Sequence, residues 1–365
     1  MRVHPEQLVL GCVVTKDVIG KTGRPIVVEK TVLNEKLIEF LQRFLIKEVE
    51  VSSKLSDGTA FVPEDYPTDS RNTQEKHERK AAQENLSFME LYYHTVKQYK
   101  LLFDSWRQGA EVDPLTVSRL LFPLLKKLDE IGLKILSLQR LIPKEDYIYH
   151  HPVMTSLLAS LLARKCGYEK EAVQVGIAGF LADCGMAKLD ESIIMKKGPL
   201  TKKEYEEMKK HPTYSYRMVE NISSITKDVK LGILQHHEKL DGTGYPMAVK
   251  LERIHPYARI LAICDMYDAM TSERMYQERQ SPFKVVEEMV YDQFGKYDHR
   301  MVEAFVSTLT NFSAGTKVRL SSGEEAEIVF IESKFPTRPM VRLIEKEMIV
   351  PLKDEKSLYI EEILN

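Results

Sequence analysis

Cysteine is scarce in this chain, and no two cysteines have the spacing of a zinc or redox motif. The 365 residues include four, each in an apolar stretch: Cys12, Cys166, Cys184 and Cys264. A disulfide-stapled secreted domain is denser in cysteine, and a zinc ribbon needs Cys-x-x-Cys pairs. We therefore interpret the four thiols as small buried side chains of a reduced, cytoplasmic protein.

An excess of one charge and a long hydrophobic run are also missing. There are 52 Lys and Arg residues against 54 Asp and Glu, a formal net charge of −2, which argues against nucleic acid or an anionic membrane as the partner. The apolar run Leu8–Val14 is interrupted by Gly11 and is too short for a signal sequence with a cleavage site. Nothing later approaches the roughly 20 apolar residues of a membrane span. The sequence thus predicts a cytoplasmic protein without a membrane span.

Hydrophobic periodicity predicts a mainly α protein, in which an all-helical domain is flanked by two small β modules. The terminal patterns are specific. Leu8–Thr15 and Pro25–Lys30 flank a glycine-containing turn and predict a hairpin, and Asn34–Phe44 has helical spacing. The predicted segments are 1–55, a β-hairpin plus helix accessory module; 56–84, a linker or mobile loop; 85–142, long connecting helices; 143–311, the helical domain; and 312–365, an antiparallel β module.

The connecting helices carry a stripe of large apolar side chains. Its members recur at helical spacing and include Phe88, Tyr92, Val96, Tyr99 and Phe103. Such a stripe is a core or helix-packing surface far more often than a cofactor site. The functional alternative is an interface between two copies, and from it we predict a homodimer.

Metal-ligating side chains stand among the apolar segments of the helical domain. They are His151, Asp183, His211, His236, His237 and Asp265. Asp183 follows Gly179 and Phe180 by four and three residues, so on a helix its carboxylate points at an apolar face. A buried carboxylate without a partner is costly, and a cation removes that cost. Imidazoles with carboxylates suit Fe, Mn, Zn or Ni, so the sequence predicts a divalent transition metal centre.

Three stretches of the helical domain match one known family. The run from His236 to Pro246 reads HHEKLDGTGYP, residues 258–272 read ARILAICDMYDAMTS, and residues 197–201 read KGPLT, followed by Met208 and His211. Over about residues 145–310 the chain resembles the HD-GYP family, the bacterial cyclic di-GMP phosphodiesterase branch of the metal-dependent HD phosphohydrolases.

The resemblance implies a two-metal centre with one ligand missing. One ion would be held by Asp183, His211, His236 and His237. The other would be held by His151, Asp183, Asp265 and the histidine that precedes the aspartate in the family, where this chain has Ala182. Asp183 would bridge the metals and orient the attacking water. The implied cofactor is Fe or Mn, with one ion expected rather than two.

The resemblance also places the substrate site and further departures from it. Substrate contacts would come from Asp241, Gly242, Gly244, Tyr245, Pro246 and Arg274. Two positions at which the family has lysine hold Met186 and Gln277, and Tyr147 stands where some members have a glutamate. Losing an imidazole weakens one cation site, and losing two lysines removes positive charge from the phosphate pocket.

These departures lead to one main hypothesis and two alternatives. The main hypothesis is a cyclic di-GMP signalling protein that is impaired in hydrolysis and acts by binding its ligand or a protein partner. The first alternative is a working cyclic di-GMP phosphodiesterase that yields pGpG or GMP, with His150 as the only obvious replacement ligand. The second is a phosphohydrolase of another nucleotide, or a protein with no nucleotide ligand.

Overall fold

The structure is a computed structural model that describes residues 1–19, 25–43, 46, 48–63, 86–131, 135, 138, 142–274, 278–291, 295–310 and 313–364. The chain divides into two compact units, residues 1–81 and 82–365. The predicted fold class is confirmed, because the chain is mainly helical and has small antiparallel sheets near both ends. Most of the predicted linker, 56–84, lies outside the described residues.

Among its described residues, the first unit contains two short antiparallel strand pairs and the helix α1. Strand β1 (Arg2–Val3) pairs with β4 (Val49–Glu50), β2 (Val18–Ile19) pairs with β3 (Pro25–Val27), and α1 is Glu35–Arg43. The buried side chains of this unit include Cys12, Val14, Leu33, Leu41 and Val51.

The predicted hairpin is present, but its first strand is Val18–Ile19 instead of the predicted Leu8–Thr15. Val18–Ile19 pairs with Pro25–Val27, whereas Leu8–Thr15 contributes only isolated bridges at its end. Gly11 gives the reason, because its φ of +88° turns the chain out of the extended conformation. The apolar run is therefore two short pieces around a turn.

The described helices of the second unit begin at Phe88. Their bounds are α2 Phe88–Arg107, α3 Pro114–Lys126, α4 Leu128–Ile131, α5 Tyr147–Lys165, α6 Ala172–Leu181, α7 Glu191–Ile194, α8 Lys202–Met208, α9 His211–Val219, α10 Lys227–Gln235, α11 Pro256–Thr271, α12 Pro282–Tyr291 and α13 His299–Leu309. Among the described helices, none is both long enough and apolar enough to cross a membrane.

Helix α5 lies at the centre of this unit because most of its side chains are apolar. Residues 149–160 of α5 are all buried, and α2, α6 and α11 pack against it. A Cβ on Gly179 of α6 would lie 3.1 Å from the Cα of Ser156, so α6 packs against α5 at backbone distance. A Cβ on Gly232 of α10 would lie 3.1 Å from Cβ of Tyr257 in the same way. These close approaches fix the helices that carry the candidate site.

The aromatic stripe of α2 packs into this same core. Tyr92, Tyr99, Phe103 and Trp106 are buried, and the ring of Tyr99 meets that of Phe180 edge to face, with centroids 4.9 Å apart. The stripe is thus used within one chain and supplies no support for a dimer, which stays a prediction.

The C-terminal residues form a five-stranded antiparallel sheet. Its order is β8-β7-β6-β5-β9, with β5 Lys317–Leu320, β6 Glu325–Phe330, β7 Met340–Leu343, β8 Ile349–Pro351 and β9 Ile360–Ile363. The sheet is tied to α12, because Arg338 donates to both carboxylate oxygens of Glu287 at 2.8 and 2.7 Å. Alternation in the sequence predicts four strands in this module, at Thr316–Leu320, Ala326–Ile331, Met340–Ile344 and Glu347–Val350, and these correspond to β5 to β8, whereas β9 was missed.

Candidate metal centre

Asp183 lies at the middle of the candidate site, two residues after the end of α6. Its Oδ1 is 3.1 Å from Nε2 of His211 and 3.6 Å from Nε2 of His236. Its other oxygen, Oδ2, is 3.4 Å from Nε2 of His151. One carboxylate therefore touches two donor groups, each with ligand atoms within 4.8 Å of one another: Asp183, His211, His236 and His237; and His151, Asp183 and Asp265. All six side chains singled out in the sequence come together here.

The imidazoles of His211 and His236 present Nε2 to the carboxylate. Nδ1 of His211 lies 2.8 Å from the carbonyl oxygen of Met208, and Nδ1 of His236 lies 2.7 Å from that of Ile233. Because a carbonyl only accepts, the neutral rings carry their proton on Nδ1 and a lone pair on Nε2. The two Nε2 atoms are 3.2 Å apart, and Oδ1 of Asp183 is buried without a hydrogen bond among the described residues. Acceptors gathered in this way fit a transition metal ion between them.

His151 is oriented by carboxylates on α11. Its Nε2 lies 3.0 Å from Oδ1 of Asp265, and its Nδ1 lies 2.6 Å from Oδ2 of Asp268 and 3.0 Å from the hydroxyl of Tyr147. The second oxygen of Asp265 is 3.7 Å from Nδ1 of His237. Asp268 thus holds the ring, while Asp265 joins the two donor groups.

The electrostatics of the site favour positive charge. Burial raises the pKa of Asp183, but the close contacts with neighbouring imidazoles, first that of His211, outweigh burial and hold the pKa well below its usual value. Burial lowers the pKa of His151, but hydrogen bonds with Asp265 and Asp268 outweigh it and raise the pKa to about 10. The carboxylates stay ionised, so the centre attracts a cation.

The centre is closed on one side and open on the other. His211 and His236 are each 1% exposed. The side chains of His237 and Asp265 are 18% and 15% exposed, and Tyr245 beside them is half-buried. A ligand from solvent therefore reaches the centre past His237, Asp265 and Tyr245.

The position before Asp183 supplies no donor. Ala182 is buried, and its carbonyl accepts a hydrogen bond of 2.6 Å from Oγ of Ser215. Met186 is half-buried and packs against the apolar core. His150 is not a replacement, because its Nδ1 lies 3.0 Å from the hydroxyl of Tyr92 on α2. Within the described residues the group around His151 has three donors.

The loop that follows α10, residues 236–246, is the signature loop. It folds back so that its later residues lie against its first ones. The Glu238 carboxylate accepts backbone hydrogen bonds from Met247 at 2.6 Å and Val249 at 3.1 Å. Gly244 is required where the loop returns, because a Cβ there would lie 2.5 Å from the carbonyl oxygen of His237. This contact explains the spacing between the paired histidines and the glycine.

The return of the loop places Tyr245 against the metal ligands. The Tyr245 ring stacks on that of His237, with centroids 4.7 Å apart and planes at 29°. Asp241 is used inside the loop, where its Oδ1 accepts from the backbone N–H and the hydroxyl of Thr243 at 2.9 and 2.7 Å. Gly242 has a φ of +82°, which favours glycine. The substrate contacts expected of this loop, including Pro246, stay predictions.

The variant Gly244→Ala is expected to displace this loop. Its Cβ would overlap backbone atoms that cannot rotate away, including the Lys239 nitrogen at 2.4 Å. Overpacking of this kind costs about 1–3 kcal/mol, so we expect a lower free energy of unfolding in urea and loss of the Tyr245–His237 stack. Gly198→Ala is the matched control, because no heavy atom lies within 4 Å of its added Cβ. Equal stability of the two variants would contradict the prediction.

Arg274 lies next to the His151 side of the centre. Its guanidinium carbon is 4.7 Å from the ring centroid of Tyr147, and it donates a hydrogen bond to the carbonyl of Ala269. The arginine expected to contact substrate phosphate is thus near the centre. Gln277, the other position of that expected pair, lies outside the described residues.

Three residues of the site were not given these roles from the sequence. They are Asp268, which holds His151; Glu238, which holds the signature loop; and Tyr147, which touches both His151 and Arg274. Asp268 had one usable signal, because it follows Asp265 by three residues and lies on the same helix face. The other two act through tertiary contacts that spacing alone does not reveal.

Comparison with known proteins shows which families and relatives this chain is similar to. The HD domain family model matches residues 134–301. The chain is 31% identical over 246 residues to a cyclic di-GMP phosphodiesterase of Pseudomonas aeruginosa, with 66% of this chain and 58% of the relative covered. It is 29% identical over 219 residues to the cyclic di-GMP phosphodiesterase PdeB of Borreliella burgdorferi, with 59% and 58% covered. The matches thus span a little over half the length of these relatives.

A solved structure agrees with the fold. An HDG"Y"P protein from Bdellovibrio bacteriovorus superposes with a TM-score of 0.50 at 16% identity, over 84% of this chain and 97% of that one. The HD match, the relatives and the signature residues agree with one another. Residues 134–301 therefore match an HD domain, and the relatives and the signature residues are consistent with the HD-GYP family.

Proposed function

We propose that this protein binds a cyclic dinucleotide of the cyclic di-GMP class at a transition metal centre and hydrolyses it poorly or not at all. It would act in signalling through the bound ligand or a protein partner. The observation that carries the proposal is the unequal pair of donor groups around Asp183, with four donors in one and three in the other.

The four-donor group favours one firmly held ion. Its three imidazoles and one carboxylate suit iron or manganese. In the three-donor group, Ala182 stands at the position of the family's fourth ligand. Met186 stands where the family has a lysine, so a thioether replaces an ammonium group there. Both changes remove stabilisation that hydrolysis needs and leave the helices and the signature loop in place.

Each side chain has a role in binding under this proposal. A divalent ion in the centre would supply Lewis acidity toward a phosphate oxygen. Asp183 links the two donor groups, Asp268 keeps His151 in position, and Arg274 offers a planar cation that suits phosphate. The half-buried Tyr245 offers an aromatic face to a nucleotide base.

Calorimetry with cyclic di-GMP, together with chromatography of the products, tests this proposal. For the full chain loaded with Mn²⁺ we expect saturable heat and a turnover close to that of buffer alone. No heat at high micromolar ligand would contradict ligand binding. Rapid release of pGpG or GMP by protein holding two metals per chain would contradict impaired hydrolysis.

One observation favours an active enzyme instead. Catalytic metal sites commonly have three protein ligands and an open position, and His151, Asp183 and Asp265 form such a set. Under this second candidate function the alanine is tolerated, and the same assay gives rapid turnover that Asp183→Asn abolishes. A parallel titration with cyclic GMP-AMP addresses the further alternative of another nucleotide.

A further inference from the structure

Tyr147 connects two parts of the site that bind opposite charges. It is the first residue of α5, one turn before His151. Its ring lies over the imidazole of His151 with centroids 5.1 Å apart and planes at 32°, and its hydroxyl lies 3.0 Å from Nδ1 of that ring. The guanidinium carbon of Arg274 lies 4.7 Å from the centroid of the same tyrosine ring.

The contact with Arg274 has the geometry of a cation–π interaction, for which about 6 Å from the centroid is the limit. Arg274 follows the end of α11 by three residues. Its side chain folds back toward the helix and donates a hydrogen bond to the carbonyl oxygen of Ala269. The ring and the carbonyl together fix the guanidinium beside the metal centre. A guanidinium stacked on an aromatic ring is weakly hydrated and can still donate N–H groups in its plane to phosphate oxygens.

We propose that Tyr147 is a positioning residue for phosphate binding, which holds the guanidinium of Arg274 at the edge of the metal centre. The ring carries out this role, and the hydroxyl braces the ring against His151. The inference rests on the proposed binding of a cyclic dinucleotide and adds the residue that orients its phosphate. Neither the spacing of the motif nor the metal ligands assign this role to position 147.

Calorimetric titration of the full chain with cyclic di-GMP tests the inference. Tyr147→Leu removes the ring and is expected to weaken binding about tenfold, the effect of a partly desolvated cation–π contact. Tyr147→Phe keeps the ring and should bind within about twofold of wild type, since only the hydroxyl is lost. In an Arg274→Met background, Tyr147→Leu should have no further effect, because residues that act through one contact are not additive.

A second variant keeps the test valid if Tyr147→Leu does not fold. Arg274→Lys retains the charge but loses the planar stack, and it should weaken binding as much as the leucine variant. The inference would be overturned, with the proposed function left standing, by either of two results. One is that the losses of affinity in Tyr147→Leu and Arg274→Met add in the double variant, and the other is that Tyr147→Phe and Tyr147→Leu lose equal affinity. Full affinity in Arg274→Lys would also overturn it. If wild type gives no heat, the proposed function and this inference both fail.

Discussion

The double variant Ala182→His, Met186→Lys is expected to hydrolyse cyclic di-GMP at least on the order of 100-fold faster than wild type, because loss of one transition-state donor costs about 100- to 1000-fold in rate. The histidine would add a fourth donor beside His151, Asp183 and Asp265, and the lysine would return a positive charge to the phosphate pocket. The measurement is the initial rate of pGpG formation at saturating Mn²⁺.

Two controls separate regained chemistry from a change in packing. Ala182→Leu with Met186→Lys adds similar bulk at position 182 and no ligand atom, so its rate should stay well below that of the histidine–lysine variant. Adding Asp183→Asn to the histidine–lysine variant should abolish the gain. A double variant that binds two metals per chain and still shows no gain would contradict the view that position 182 limits hydrolysis.

The variant Asp183→Asn is expected to lose metal binding almost completely. Its carboxylate is shared by both donor groups, with Oδ1 near His211 and Oδ2 near His151. Changes one layer outside the ligands cost about 10- to 100-fold in metal affinity, so loss of the shared ligand should cost more. The metal content of the purified variant, measured by mass spectrometry, should fall close to zero.

Thermal unfolding gives an independent readout of the same change. A ligand at 100 times its Kd stabilises the folded state by about 2.7 kcal/mol. Wild-type protein stripped of metal should therefore melt several degrees higher after Mn²⁺ is added, roughly 2–4 °C per kcal/mol for a domain of 150–250 residues. Asp183→Asn should show no such shift. An equal shift in both proteins would place the metal elsewhere.

Much of the site could be predicted because its ligands lie at fixed places on helices. Asp183 follows an apolar helix, and its spacing from Gly179 and Phe180 placed its carboxylate at an apolar face. The loop from His236 to Pro246 was recognised by its resemblance to a family, and the close approach of Gly244 to the backbone of His237 gives a physical reason for its glycine. The resemblance to a family added the grouping of ligands, which spacing alone does not give.

Other features could not be predicted because they depend on contacts between distant segments. Asp268 on α11 contacts His151 on α5 across 117 positions of the sequence, and Tyr147 on α5 contacts Arg274, which follows the end of α11. The strand predicted at Leu8–Thr15 was wrong for a local reason. A glycine such as Gly11 occurs both in strands and in turns, and the sequence alone does not give its φ. Strand β9 was missed because its sequence, IEEI over Ile360–Ile363, does not alternate, and its pairing with β5 has a register shift between Arg319 and Leu320.

Titration of metal-free protein with Mn²⁺, followed by calorimetry, tests the central claim most directly. Because the four-donor group is complete and the three-donor group lacks a ligand, we expect one tight site per chain and a second site at least about tenfold weaker, the difference that 1.4 kcal/mol makes. Ala182→His should tighten the second site alone. Two sites of equal affinity in the wild type, or no site at all, would contradict the account.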